Sequence, residues 1–346
     1  MTSFGALALQ TRVRAIAQCA DVASCRRQIN ASLERIAAQV AASKAFIGPH
    51  LRLVVLPEYF LTGYPMGETA AAWLARGCVA VNGPEYERIG AIAADNGLFL
   101  AGNLYEADRH FPDLYFQTSF IVDESGDVAL RYRRLISQFG PTPYDVLDRY
   151  LDIYGVDGLF PVADTALGRL AAVASEEILF PEISRALALR GAEVLCHSSS
   201  EVASPALTPK NTAKRARAYE NHVYVVSANT AGIGGIDLPN ASVDGVSQIV
   251  DYEGQVRIEA AVGESMAANA DIHLDALRTY RRRPGMFNLF TRQRLALFDD
   301  LYGSEEVCPP NSLLDEDGQV RAPPAGHSLS VQNETIANLL ERGVLR

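Results

Sequence analysis

A chain of 346 residues with 48% hydrophobic and 21% charged side chains has ordinary globular composition, long enough for one large domain or two small ones. Its net charge of -10 excludes the basic surface that non-specific nucleic-acid binding needs and favours a small-molecule partner. No stretch reaches the ~20 apolar residues of a membrane span, charges interrupt the apolar run that a signal peptide would need, and five scattered cysteines without a CxxC pair suggest neither a disulfide framework nor a zinc site. A cytoplasmic chain with no metal and no organic cofactor is expected.

Short β-branched runs alternate with Ala-rich helical stretches. Residues 7–16 read as a strand, 26–44 as a helix ending before Gly48-Pro49, and 51–56 as a buried strand. Residues 85–96 have helical spacing and 98–102 follow as a strand. Residues 115–122 and 128–133 form a hairpin around Ser125-Gly126-Asp127. A strand at 170–174, a helix at 180–190 closed by Gly191 and a strand at 194–197 come next. Residues 209–221 are helical, with Pro209 suited to the first turn, and 223–228 form a strand. A second hairpin joins 247–252 to 256–260 around Glu253-Gly254. This interleaving predicts a layered α/β fold with mixed sheets. Past Arg283 the chain turns amphipathic, then Pro-rich and polar, with a last helix over 333–345. That tail has too few apolar residues for its own core. The expected organisation is a domain over residues 1–282 and an arm, 283–346, wrapping the domain or a partner subunit.

Three motifs carry chemistry. Leu56-Pro57-Glu58-Tyr59, before Thr62-Gly63-Tyr64-Pro65, puts a carboxylate at the end of a fully apolar strand. Desolvation there suits a general base, and a structural glutamate fits the same pattern. Tyr132-Arg133-Arg134-Leu135 releases a cationic cluster from a strand, which read alone is also an edge strand guarded by charge. Ala174-Ser175-Glu176-Glu177 follows an apolar strand and precedes Phe180-Pro181-Glu182. A strand-to-turn serine is presented as in a nucleophile elbow, with the next backbone N–H free for an oxyanion hole. Ser175 as a plain helix cap is the alternative.

Taken in order, these motifs resemble the nitrilase (carbon–nitrogen hydrolase) superfamily. Its pattern is a strand ending in Pro-Glu, Tyr-Arg-Lys after a hairpin, and a cysteine before acidic residues and Phe-Pro-Glu. Arg190-Gly191-Ala192-Glu193-Val194-Leu195, Arg217 with Glu220-Asn221, and Ala228-Asn229 with Gly232 are similar as well. The resemblance spans residues 6–275 and is strongest to the amidase-like branches. It implies a four-layer αββα sandwich of two mixed β-sheets, a small-molecule substrate, no cofactor, and a homodimer or larger homo-oligomer. It also implies that Glu58, Arg134 and Ser175 stand where the family has glutamate, lysine and cysteine.

In that family a cysteine thiolate attacks a nitrile or amide carbon, the glutamate moves protons and the lysine stabilises the tetrahedral intermediate. A serine hydroxyl is far less acidic than a thiol near ~8.5 and needs a well-placed base. Arginine stays protonated, cannot shuttle a proton, and pairs by charge with Glu58. The usual thiol mechanism is therefore excluded. The expected pocket sets Glu58, Glu176 and Glu177 against Arg134, with Tyr59 alongside. His197, at the end of the next strand, is either a base for Ser175 or a satisfied strand-end histidine. Cys196 alternates to the opposite face. Asp145 is the loose counterpart of the family's second glutamate, and the loops at 138–148 and 198–206 carry no substrate signature. Two functions follow. One acts on a C–N or acyl bond of amide or nitrile type with a Glu-Arg-Ser set. The other is a non-hydrolytic pocket that holds a small anionic ligand through Arg134. The joint change at Arg134, Ser175 and Glu176 points to a natural branch rather than an isolated substitution.

Overall fold

Apolar runs such as Leu53-Val54-Val55 need cover on both faces. A computed structural model, which describes residues 3–202, 207–304 and 307–346, supplies that cover with two stacked sheets and helices outside them. In the first sheet β1 (Ser3–Ala8) runs antiparallel to β15 (Asn269–His273) and parallel to β3 (Leu51–Val55). Then come β5 (Phe99–Ala107), parallel to β3, and the antiparallel β6 (Tyr115–Val122) and β7 (Val128–Arg133). The two-residue β4 (Val79–Ala80) flanks β5. The second sheet orders β8 (Ala163–Thr165), β9 (Gly168–Ala174), β10 (Val194–Ser198), β11 (Tyr224–Ala228), β13 (Gln248–Val250) and β14 (Val256–Glu259). Its middle three strands are parallel. A two-residue pair, β2 (Val13–Arg14) with β12 (Ile233–Gly234), stands apart.

Alternation sorts the core. Phe4, Ala6 and Ala8 of β1 face the second sheet and pack with Ala172, Leu195 and Val226, while Leu7 faces outward with Val54 and Leu100. Against that outer face lie α1 (Val22–Ile47), through Ile29, Leu33, Ile36 and Val40, and α3 (Pro84–Asn96), through Ile89 and Ala93. The short α2 (Ala70–Arg76) adds Trp73. α5 (Pro181–Leu189) and α6 (Pro209–Asn221) cover the second sheet through Ile183, Leu187, Ala213 and Ala218. The result is the αββα sandwich.

The last helix, expected over 333–345, lies earlier as α9 (His327–Glu341), and the strand expected over 98–102 runs on to Ala107; two further elements differ because of particular hydrogen bonds. The strand expected over 7–16 breaks after Ala8, because buried Gln10 turns its amide to the carbonyls of Ala261 (2.5 Å) and Gly263 (2.7 Å). α1 starts earlier than residue 26 because Asp21 and Ser24 form a reciprocal capping box, with Ser24 N to Asp21 Oδ1 at 2.7 Å and Asp21 N to Ser24 Oγ at 3.0 Å.

Beyond α4 (Leu147–Tyr154) and α7 (Leu274–Arg282), the tail carries α8 (Asp299–Ser304) and α9 (His327–Glu341). It is tied to this same chain: Tyr144 donates to the Cys308 carbonyl at 2.6 Å, and Leu313 buries against Phe111, Phe116 and Tyr150. α9 leaves Leu329, Ile336 and Leu340 exposed. Among the described residues no helix is long and apolar enough to cross a membrane.

α3 approaches the β6–β7 turn closely enough that a Cβ on Gly90 would lie 2.5 Å from the Gly126 carbonyl oxygen. Gly90→Ala is expected to lower stability by about 1–3 kcal/mol, as a fall in the urea midpoint. A midpoint at or above the wild-type value would mean that the helix can lift off the turn freely.

Candidate active site

The carboxyl ends of β3, β7, β9 and β10 converge, and the chemistry-bearing residues follow them. Glu58 lies just past β3 and is 1% exposed. Its Oε1 accepts from Gln117 Nε2 at 2.7 Å and faces Arg134 Nη1 at 3.4 Å; its Oε2 accepts from Ser200 Oγ at 2.6 Å. Gln117 is held in turn by Asn103 Oδ1 at 2.9 Å. The Glu58 amide donates to the Ser199 carbonyl at 3.3 Å and Ser198 Oγ to the Leu56 carbonyl at 2.8 Å. The ends of β3 and β10, one from each sheet, are thereby joined.

Arg134 leaves β7 and is 5% exposed. Nε donates to the Ile136 carbonyl and Nη1 to Gln117 Oε1, both at 2.7 Å, and Nη2 pairs with Glu176. Four of its five N–H groups thus end on protein acceptors. Glu177 does not stand with them in the pocket. It is wholly buried, and accepts from Tyr132 Oη (2.8 Å) and the backbone amides of Leu135 (2.7 Å), Ile136 (3.1 Å) and Ala174 (3.3 Å). Burial pushes its carboxyl up to about 7, against the pull of Arg134 and of these donors.

Ser175 directly follows β9 with φ +46°, in the left-handed region that a side chain makes costly, and a tight turn (175–179) starts there. The first amides of such a turn lack partners within it. Its Oγ accepts from Lys210 Nζ at 3.0 Å. Lys210 stands in the first turn of α6. That helix is capped by Thr208, whose Oγ1 accepts from Asn211 N at 3.1 Å and donates to Glu201. One turn on, fully buried Lys214 binds Glu201 Oε2 at 3.1 Å and Asn211 Oδ1 at 2.8 Å.

Of the two readings of His197, the satisfied strand-end histidine is the one that the geometry supports. His197 Nε2 lies 2.8 Å from the Ser175 carbonyl oxygen, not its hydroxyl, and Nδ1 lies 2.8 Å from Ser227 Oγ. The carbonyl only accepts, so Nε2 carries the proton and Nδ1 takes one from Ser227. Burial, then the Lys214 charge, pushes the ring well below its ordinary pKa and keeps it neutral. His197 therefore supports the elbow's backbone. Asp145 is no pocket acid either: it caps its own turn through Thr142 N at 2.8 Å and accepts from Ser312 Oγ at 2.7 Å. Cys196 is buried in the core, which pushes its thiol up to about 12.

Glu58, Tyr59, Arg134, Ser175 and Glu176 line one cavity of about 530 Å³ together with Ser200 and Lys210. Tyr59, at φ +54°, stacks on Tyr105 with ring centroids 5.0 Å apart. Of the loop expected over 198–206, residues 203–206 lie outside the described residues. Lys210, Gln117 and Ser200 were not singled out by sequence reasoning. The available signal for Ser200 was position: it lies just past β10, a parallel strand of the second sheet, where such sheets place ligands.

Two measurements test this geometry. Ser175→Gly is expected to be more stable than Ser175→Ala by about 1–2 kcal/mol in chemical denaturation, since glycine alone adopts φ +46° freely. Equal stabilities would deny the strain. For Glu177, an acid held above its ordinary 4.5 stabilises the fold while protonated and loses that contribution as pH rises through about 7. Between those values the wild type should lose up to roughly 3 kcal/mol relative to Glu177→Gln. Parallel pH curves for the two proteins would refute it.

A family model described as Carbon-nitrogen hydrolase matches residues 13–282. The chain is 33% identical over 180 residues to the hydrolase in the pqqF 5' region of Pseudomonas protegens, covering 52% of this chain and 59% of that protein. It is 25% identical over 240 residues to a formamidase of Bacillus cereus, covering 69% and 66% respectively. The chain thus spans just under two thirds of the length of these curated relatives. Among solved structures it is similar to a carbon-nitrogen hydrolase from Helicobacter pylori, at 21% identity and TM-score 0.66, over 87% of this chain and 98% of that one. An amidase of the nitrilase superfamily from Nesterenkonia matches at 22% identity and TM-score 0.61, over 87% and 97%. These likenesses agree with the fold, and the match over residues 13–282 establishes that the chain belongs to the carbon-nitrogen hydrolase family.

Proposed function

We propose that this chain cleaves a C–N or acyl bond of a small molecule with Ser175 as nucleophile, Lys210 as its base and Glu58 as a second proton carrier. The observation that carries the reading is the Ser175 hydroxyl, set on a left-handed elbow 3.0 Å from the Lys210 amine and lining the cavity that Glu58 also lines. A serine paired with a lysine is a recognised variant of nucleophile-and-base catalysis. The amine form of Lys210 is the one that acts: the hydroxyl proton passes to Nζ as Oγ bonds to the carbonyl carbon. The oxyanion is met by the free amides of the turn after Ser175. Collapse breaks the C–N bond, and the leaving amine takes the proton from Lys210. Water then adds to the acyl-serine as Glu58 takes its proton. The ester C–O bond breaks, the proton returns to Ser175 Oγ, and a carboxylic acid leaves.

Arg134 has a positioning role in this scheme, standing where the family's lysine would stand and holding Glu58, Gln117 and Glu176 in register. The alternative of an anion held by Arg134 loses support because four of its five N–H groups already meet protein acceptors. The formamidase and amidase among the similar proteins favour amides over nitriles as substrates.

Ser175→Ala is expected to lower kcat for a small-amide panel by roughly 10³-fold or more, and Lys210→Met by roughly 10²–10⁴-fold, each with an unchanged melting curve. Intact-mass spectrometry of the wild type with an activated ester should show one acyl adduct on Ser175. Full turnover by Ser175→Ala, or an adduct elsewhere, would refute the assignment.

A further inference from the structure

The lining of the Ser175 cavity divides into two chemistries. Glu58, Arg134, Ser175, Glu176, Ser200 and Lys210 form a polar set. Arg134 is paired with both carboxylates, and Lys210 is engaged by Ser175. The other charged residue of the lining, Glu68, is taken by Arg76 Nη1 at 2.8 Å. The rest is carbon: Tyr59, Tyr64, Tyr105, Tyr115, Phe139 and Met66. Tyr64 meets Tyr59 edge-on at 5.1 Å and Tyr115 meets Tyr105 edge-on at 5.4 Å. The hydroxyls of Tyr59 and Tyr64 are spent on Gln117 Oε1 and Ser200 Oγ, both at 3.3 Å. The rings of Tyr59 and Tyr64 thus offer faces and edges to an occupant, not free hydroxyls.

From this lining we infer that the acyl half of the substrate is neutral and carries an aromatic or comparably bulky apolar group. The inference rests on the hydrolytic reading above and sharpens its substrate. A cavity of about 530 Å³ is far larger than formamide or acetamide fills, and lies within the range of small-molecule sites. A carboxylate on the acyl chain would sit beside Glu58 and Glu176, and Lys210, which acts as base only in its amine form, brings no charge to receive it. A ring instead meets aromatic partners in offset or edge-on geometry. Phe139 adds to the case: it lines the cavity yet is 87% exposed, so it stands at the opening. Ser137 Oγ fixes its backbone by accepting from the amides of Phe139 (3.3 Å) and Gly140 (3.2 Å). A bound ring would take that side chain out of water.

The test separates binding from turnover. Titration calorimetry on full-length Ser175→Ala with phenylacetamide, acetamide and succinamate reads the acyl preference without hydrolysis. Phenylacetamide is expected to bind at least tenfold tighter than either of the others. Acetamide or succinamate binding equally well, or none of the three binding, would overturn the inference. In the wild type, the ratio of kcat/KM for phenylacetamide over acetamide should fall at least fivefold in Phe139→Ala, and an unchanged ratio counts against it. Tight phenylacetamide binding to Ser175→Ala with no turnover by the wild type would sink the hydrolytic reading while upholding the ring pocket. Turnover of acetamide but not of phenylacetamide would do the reverse.

Discussion

One buried carboxylate holds the two halves of the site together. Glu177 accepts from Tyr132 on β7 of the first sheet, from Leu135 and Ile136 in the loop beyond it, and from Ala174 at the end of β9 in the second sheet. Arg134 lies between the first two of these anchors, and Ser175 directly follows the third. Their relative placement is therefore set by a group that touches no cavity. A buried acceptor with four partners is costly to disturb, because losing it strands several donors at once. The Glu58 side of the site repeats the device with backbone contacts to Ser199 and from Ser198.

This bracing also explains how strain persists. Ser175 and Tyr59 both sit in left-handed backbone, at roughly 1–3 kcal/mol each. Such conformations last only where the surroundings over-determine them. Around Ser175 the surroundings are Glu177 at the preceding amide, His197 at the carbonyl and Lys210 at the hydroxyl. Three neighbours fix one residue from three directions, which gives the proposed nucleophile a single orientation. The same logic explains a neutral His197: a charged ring would gain nothing from a carbonyl and a hydroxyl in a dry core.

Much of the framework was legible in the sequence because its signals are local. The hairpin of Tyr115–Val122 and Val128–Arg133, and the helix Pro209–Asn221, come from alternation, turn residues and a proline at a helix start. The strand expected over 7–16 failed because apolar alternation continues past Gln10, while the partners of Gln10 lie some 250 residues away. The site was legible as three separate motifs, and Glu58, Arg134, Ser175 and Glu176 do share a cavity. Lys210 was not legible, since Pro209-Lys210 reads as an ordinary helix beginning. Its meaning depends on how α6 crosses the turn after Ser175, a tertiary fact. His197 was left between two readings for a subtler reason: sequence can place a ring near a residue but cannot say which oxygen it meets.

The pairing of β1 with β15 has a consequence for how the molecule comes into being. The strand at Ser3–Ala8 completes its ladder only with Asn269–His273. During synthesis the first sheet therefore keeps an open edge at β1 until nearly four fifths of the chain has emerged. An open apolar edge is a template for mispairing with other chains. Contacts so distant in sequence also close slowly. The window of greatest risk for this protein thus falls before folding is finished, and a chaperone or a slow translation rate would matter most there.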